Sequence, residues 1–464
     1  MASHAPAAAP ERRGMLNALG LHRPELRAWA MYDWAASAFQ TTIMVAVFPI
    51  YFISVAGHGD APGASQWWGY ANSLAIAIVA IMSPILGAIA DFSGGKKRFL
   101  GVFTGIGIAA VAGMWFIHQG DLLLATALYL VASIAASASF VFYESLLPHI
   151  ASEQEVDRVS TAGYAFGYVG GGVLLAVNLA WIQKPDLFGM PAGTFPVRLS
   201  FISVAIWWLL FSIPLFRGVR EPPRGIEPDE KPTANPARMA FVRLGETFRE
   251  LRGYKNAFLF LVAFLLYNDG IATIQKMAAP YATELGISQG VTIGAILLVQ
   301  FVGIPFAFAF GALAGRIGAK RSILLGLALY AGISIFGFFI GSLPPGERAR
   351  AFIVLALMVG TVQGGTQALS RSLFSTMIPR HKSGEFFGFY SVFSKFAGIF
   401  GPLLFAYMIG RTGSGRHGIL SVIGFFIVGG TLLLFVDPVA GERAAREAEA
   451  AVRVLPADDR TVNG

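Results

Sequence analysis

Residues 66–118 read QWWGYANSLAIAIVAIMSPILGAIADFSGGKKRFLGVFTGIGIAAVAGMWFIH. Two apolar runs, 66–90 and 99–118, flank a turn that carries Asp91, two glycines and Lys96-Lys97-Arg98. Each run has the roughly 20 residues that a helix needs to cross the hydrocarbon of a bilayer. Neither shows the residue-by-residue alternation of a barrel strand, and in lipid only helices and closed barrels satisfy their backbone groups. The pattern continues outward in both directions, with further runs at 28–54, 121–146, 161–182, 199–217, 257–281, 291–314, 321–341, 350–374, 386–410 and 417–436. A large soluble core accounts for one or two such stretches, not twelve, and few of these segments show the charged face of a soluble surface helix. The expected fold class is an all-α membrane protein with twelve transmembrane helices.

The composition agrees. Of 464 residues, 55% are hydrophobic and 13% charged, against about 25% charged in soluble domains. There is no cysteine, which excludes a disulfide framework, a thiol nucleophile and thiolate metal ligation. The seven histidines are scattered without metal-ligand spacing, and no GxxxxGK[ST] phosphate loop is present. No cofactor and no catalytic constellation are therefore expected. Met1 to Pro10 lacks the apolar core of a cleavable signal peptide.

The net charge of +8 is explained by its distribution. With both termini placed on the cytoplasmic side, that side holds 26 Lys and Arg residues and the other holds six, as the positive-inside rule requires. The charge thus sets orientation and leaves no nucleic-acid surface to explain; the basic linker residues are expected either against anionic lipid heads or on a plain solvated face. The longest polar break, 218–255, leaves six runs on each side. The organisation read from this is an N-terminal tail (1–25), a first six-helix half (26–217), a central linker (218–255), a second half (256–437) and a C-terminal tail (438–464). Within the linker, Phe241 through Leu251 is expected to lie on the membrane as a short amphipathic helix.

The halves repeat. Gly87-Ala88-Ile89-Ala90 ends the second run and Gly311-Ala312-Leu313-Ala314 the eighth, each followed by a tight turn and a basic pair at the same offset. Leu147-Pro148 and Ile378-Pro379 close the fourth and tenth runs, and Tyr32-Asp33 and Tyr267-Asn268-Asp269 put an acid after an aromatic in the first and seventh. Three matches in one order on corresponding runs signal internal duplication, a common plan for transporters.

These residues resemble the major facilitator superfamily, through the loop 87–98. Within it they resemble the vacuole-effluxer-like family, which includes fungal vacuolar amino-acid effluxers. The family-level marks are Tyr32 through Phe39, Phe142 through Pro148, Leu266 through Gly270, Gln363-Gly364-Gly365 with Ser370 through Phe374, and Glu385 through Tyr390. The resemblance implies two pseudo-symmetric six-helix halves around a cavity lined by spans one, four, seven and ten. It implies secondary transport of a small polar solute, possibly an amino acid in the family's manner, by a chain for which a monomer is sufficient. Ala36, Glu144 and Phe92 depart from the family's usual asparagine, neutral residue and arginine at those places.

An ionisable side chain inside a span is costly and is read first as functional. Asp269 lies about twelve residues into the seventh run. Lys276 follows two turns later on the same face, roughly 10 Å away, with Lys395 at similar depth in the eleventh. Asp269, Lys276 and Lys395 are candidates to touch a solute or coupling ion, the alternative being a structural ion pair. Gln40, Asn268, Gln363 and Gln367 are candidate polar wall residues. Nearer the cytoplasmic ends, Arg371 with Asp33 or Glu144 forms a candidate gate between the halves, the alternative being an Arg371 that reaches out to the interface. By resemblance, Asp91 braces the turn Ser383-Gly384-Glu385 at the start of the eleventh run, with Arg98 and Lys97 joining the network. Glycines 163, 167, 170, 171 and 172 give the fifth run a small face for tight packing. With no nucleotide site, energy must come from the gradient of the solute, of protons or of sodium. The competing readings are a non-transporting scaffold or sensor, which predicts a closed apolar centre, and a membrane-embedded enzyme, which needs an acid–base cluster that the loops lack.

Overall fold

The computed structural model describes residues 15–57, 61–226, 249, 253–412, 414–450 and 453–455. Twelve helices in it are long and apolar enough to span a bilayer. In the first half they are Pro24–Ala56, Leu74–Asp91, Lys96–Phe116, Leu122–Ile150, Val156–Gln183 and Phe195–Gly218. In the second they are Lys255–Ala278, Gly294–Ile317, Ala319–Ile340, Pro345–Thr376, Arg380–Phe405 and Gly415–Phe435. They are called spans one to twelve below. Each half is built around its own apolar core, the first around Trp29, Tyr32, Tyr143 and Trp208, the second around Phe260, Tyr267, Phe374 and Phe426. Large apolar side chains such as Ile81, Leu123, Leu209, Phe339, Leu403 and Phe435 point outward, which water would penalise and lipid does not.

Spans one and eleven depart from straight α-helix beside the centre of the molecule. Span one widens into a π-helix at Phe39–Ala46 and again at Phe52–Ala56, the kind of local unwinding found at functional positions. Span eleven is broken. One helix runs Ser383–Phe396, the backbone turns extended at Ala397, Gly398 adopts φ +92°, and a second helix runs Phe400–Thr412. Only glycine adopts that φ without steric cost.

The halves interlock on the face that carries the described ends of the chain. Span two packs along span eleven and span five along span eight. At the first of these contacts the backbones touch: a Cβ on Gly87 would collide with the Gly384 carbonyl, and one on Gly388 with the backbone of Ser83 and Pro84. Higher up, the Ser83 and Ser391 hydroxyls are 3.4 Å apart. The glycines of span five lie mainly against span one of the same half, with Gly167 and Gly171 facing Ser37 and Gly170 facing Trp34.

The same face is closed by elements from the segments read in sequence as the central linker and the C-terminal tail. A helix at Pro438–Ala450 lays Gly441 on Met377, pairs Arg446 with Glu153 between spans four and five, and has Glu449 accept the Arg380 N–H (2.8 Å) at the start of span eleven. Arg453–Leu455 then pairs antiparallel with Arg224–Ile226. Glu221, just past span six, accepts the Lys97 N–H at 3.0 and 3.1 Å. Burial pushes its carboxyl above the usual range, against the pull of that bond and of the lysine charges. The amphipathic helix expected at Phe241 through Leu251 lies outside the described residues, apart from the helical position Arg249.

Gly87→Val is expected to insert and fold but to lose transport, because its branched side chain holds span two away from span eleven. Size-exclusion profiles with exchange assays in liposomes check this, and normal exchange by the variant would show that this contact need not form.

Candidate transport site

Arg371 sits at the junction of the halves with 1% of its surface exposed. Its two terminal nitrogens each donate to Asp33 Oδ2 at 3.3 Å, joining span ten to span one. Nε donates to Ser160 Oγ (2.9 Å) and Nη2 to the Ser160 carbonyl (2.8 Å), which ties in span five. The guanidinium also lies over the rings of Tyr164 and Trp29, at 4.5 and 5.0 Å. Tyr143 completes the site by donating to the same Asp33 oxygen (2.8 Å) and stacking on Trp29 at 4.5 Å. A planar, permanently charged fork is the side chain that can satisfy this many acceptors and stack as well. The alternative in which Arg371 reaches out to the interface is corrected: its acceptors lie inside the protein, so it turns inward. Glu144 is not part of the pair.

Above this pair lies a cavity of about 430 Å³. From Asp33 and Arg371 it extends along span one past Ser37 and Gln40 to Val45, a dozen residues farther from the terminal face, and along span seven from Asn268 to Gln275. Gln367, Glu144 and Lys395 also line it. Its walls come from both halves, and its floor is the interlocked face.

Three sequence-selected residues lie elsewhere. Asp269, 1% exposed, spends both oxygens on the break in span eleven. Oδ1 accepts the N–H of Gly398 (2.7 Å) and Gly401 (3.0 Å), and Oδ2 that of Phe400 (3.1 Å). Lys276 donates to the Gly398 carbonyl (3.0 Å). For Asp269 the expected solute contact is corrected by this geometry: the group bridging acid and lysine is the backbone of span eleven, while Lys276 itself stays exposed. Gln363 sits beside the Tyr168 hydroxyl rather than in the wall.

On the terminal face, Asp91 accepts the Glu385 N–H (2.8 Å) and pairs with Lys96 at 2.7 Å. Lys96 also reaches Ser383 Oγ (2.5 Å) and His149 Nε2 (3.1 Å), gathering spans two, three, four and eleven. The lysine of this network is Lys96. Arg98 is exposed at the surface and Lys97 donates to the Val219 carbonyl (2.7 Å), so their expected places in it are corrected.

Several wall residues escaped the sequence reading: Ser137, Tyr164, Tyr168, Gln300, Tyr390 and Ser394. Gln300 was legible, as the lone amide in a long apolar run. Tyr164 and Tyr168 stand one turn apart on a glycine-rich helix, a weaker signal, because a tyrosine in a span serves equally as packing. Among the described residues no group of three or more His, Cys, Asp or Glu could hold a metal ion.

The profile of the family described as "Vacuole effluxer Atg22 like" matches residues 64–449. The chain belongs to that family. The protein named "Uncharacterized MFS-type transporter YxiO" of Bacillus subtilis (strain 168) is 35% identical over 412 residues, which cover 88% of this chain and 94% of that protein. Autophagy-related protein 22 of Yarrowia lipolytica is 32% identical over 316 residues, 63% of this chain and 52% of the fungal protein, about half its length. Among solved structures, the proton:xylose symporter XylE bound to 6-bromo-6-deoxy-D-glucose superposes with TM-score 0.65 at 14% identity, covering 90% of this chain and 95% of that one. FucP in the outward conformation superposes with TM-score 0.66 at 12% identity, covering 90% and 99%. Fold and relatives together make this Atg22-like chain a multi-pass membrane transporter of the major facilitator type.

Arg371→Gln leaves the Asp33 carboxylate buried without its cation and is expected to cost about 3–5 kcal/mol. The double variant with Asp33→Asn should recover most of that loss. Thermal unfolding of the detergent-purified proteins reads both, and additive losses would mean that the two groups do not act as a pair.

Proposed function

We propose that the solute is a small zwitterionic amino acid, held with its ammonium on Glu144 and its carboxylate on Lys395. One observation carries this reading. Glu144 of span four and Lys395 of span eleven line the same cavity from opposite halves, within electrostatic reach of one another, Glu144 also feeling Arg371 and Asp33 and Lys395 also feeling Lys276, and neither makes a direct hydrogen bond or ion pair with any described residue. Charges kept inside a membrane protein without partners are costly, and a ligand of complementary charge relieves that cost. The amides of Gln40, Asn268 and Gln367 both donate and accept, which suits a polar solute, and the cavity volume is that of a small-molecule site. A closed apolar centre, the mark of a scaffold or sensor, is not what these residues form.

The floor pair Asp33–Arg371 acts in this reading as the gate that holds the cavity shut toward the terminal face and parts when it opens there. The excess of Lys and Arg on that face supports placing it in the cytoplasm, and the Bacillus relative supports a bacterial cytoplasmic membrane. The gradient of the solute itself, of protons or of sodium drives the cycle. The resemblance of its motifs to those of fungal vacuolar amino-acid effluxers supports amino acids as the substrate class.

Counterflow in liposomes tests the assignment. Labelled leucine and alanine should exchange, while the matching amines and carboxylic acids, each lacking one charge, should compete poorly. Glu144→Gln and Lys395→Met should each lower exchange by about tenfold or more, the size of a lost charge-assisted hydrogen bond. Equal competition by the singly charged analogues would sink the reading.

A further inference from the structure

We infer that Asp269 and Lys276 are positioning residues for Lys395: span seven fixes the break in span eleven and thereby aims the lysine into the cavity. The break strands polar backbone groups inside the membrane, where an unsatisfied group is expensive. Span seven answers them from one helical face. Asp269 takes the three amides of Gly398, Phe400 and Gly401, at 2.7, 3.1 and 3.0 Å, and Lys276, two turns on, donates to the Gly398 carbonyl at 3.0 Å. The fit is close. A Cβ on Gly401 would meet Asp269 Oδ1 at 2.9 Å, and one on Gly398 would meet Lys276 Nζ at 2.7 Å.

Lys395 stands three residues before Gly398, in the last turn of the helix Ser383–Phe396. The last turn of a helix has no following turn to hold it, so the contacts that fix the stop also fix its last side chains, Lys395 among them. Continuous helix through Gly398 would also remove the helix end whose carbonyls favour a cation there. The acid and the lysine of span seven thus act on the cavity through span eleven, without lining it.

The inference concerns where residue 395 points and holds whatever the solute is, so its test needs no substrate. The chain has no native cysteine, so Lys395→Cys and Gln367→Cys each create a single thiol in the same cavity, on spans eleven and ten. The rate at which a cationic methanethiosulfonate modifies each thiol is measured in full-length protein in liposomes. Adding Asp269→Ala should change the rate at position 395 on the order of tenfold, as thiol reactivity follows exposure and surroundings, and should leave position 367 nearly unchanged. Lys276→Met and Asp269→Asn are the milder variants, in case the alanine variant does not fold. Asparagine keeps the oxygen that serves two of the amides and should shift position 395 less. An unchanged rate at 395 in all variants that fold, or equal shifts at 395 and 367, would overturn the inference. Failure of the amino-acid assignment would appear in the counterflow panel and leave these rates as expected.

Discussion

One cation, enclosed by the first half of the molecule while belonging to the second, organises the centre of the structure. The Arg371 guanidinium must find acceptors inside the protein, and it finds them on Asp33 and Ser160. That need brings spans one, five and ten together below the cavity. The aromatic shelf of Trp29, Tyr143 and Tyr164 follows from it, since flat rings both exclude water and accept the face of a cation. A pair made of one group from each half is also reversible in a way that a pair within one half is not: its two members separate whenever the halves rock apart.

The duplication seen in the sequence has been put to different uses. Asp33 and Asp269 occupy matching spans after matching aromatics, yet one binds an arginine across the halves and the other binds backbone amides within its own half. Asp91 braces the start of span eleven, while the matching place in the second half is Gly315, which lets Arg158 lie nearby. The scaffold is two-fold and its chemistry is not.

The spans were legible because lipid imposes a length and an apolar composition on every crossing. Their pairing into halves was legible because repeated turns keep glycines and basic residues at fixed offsets. Depth along a helix was legible as well, which is why Gln40, Asn268, Gln367 and Lys395 were assigned to a central wall. What a side chain touches at a given depth was not. Asp269 and Glu144 read alike as buried acids, and only the break at Gly398 separates a carboxylate consumed by amides from one left facing open space. A positive φ in a span with many glycines leaves little trace in sequence. Nor does spacing tell Lys96 from its neighbours Lys97 and Arg98, since helix rotation alone turns the first inward.

The helix Pro438–Ala450 emerges from the ribosome after both bundles have been made. Its Arg446 and Glu449 reach back to Glu153 in the first bundle and Arg380 in the second. Each bundle is therefore free to enter the bilayer and assemble by itself during synthesis, and the strap that ties their loops is fastened as a late step, once there are two finished parts to join.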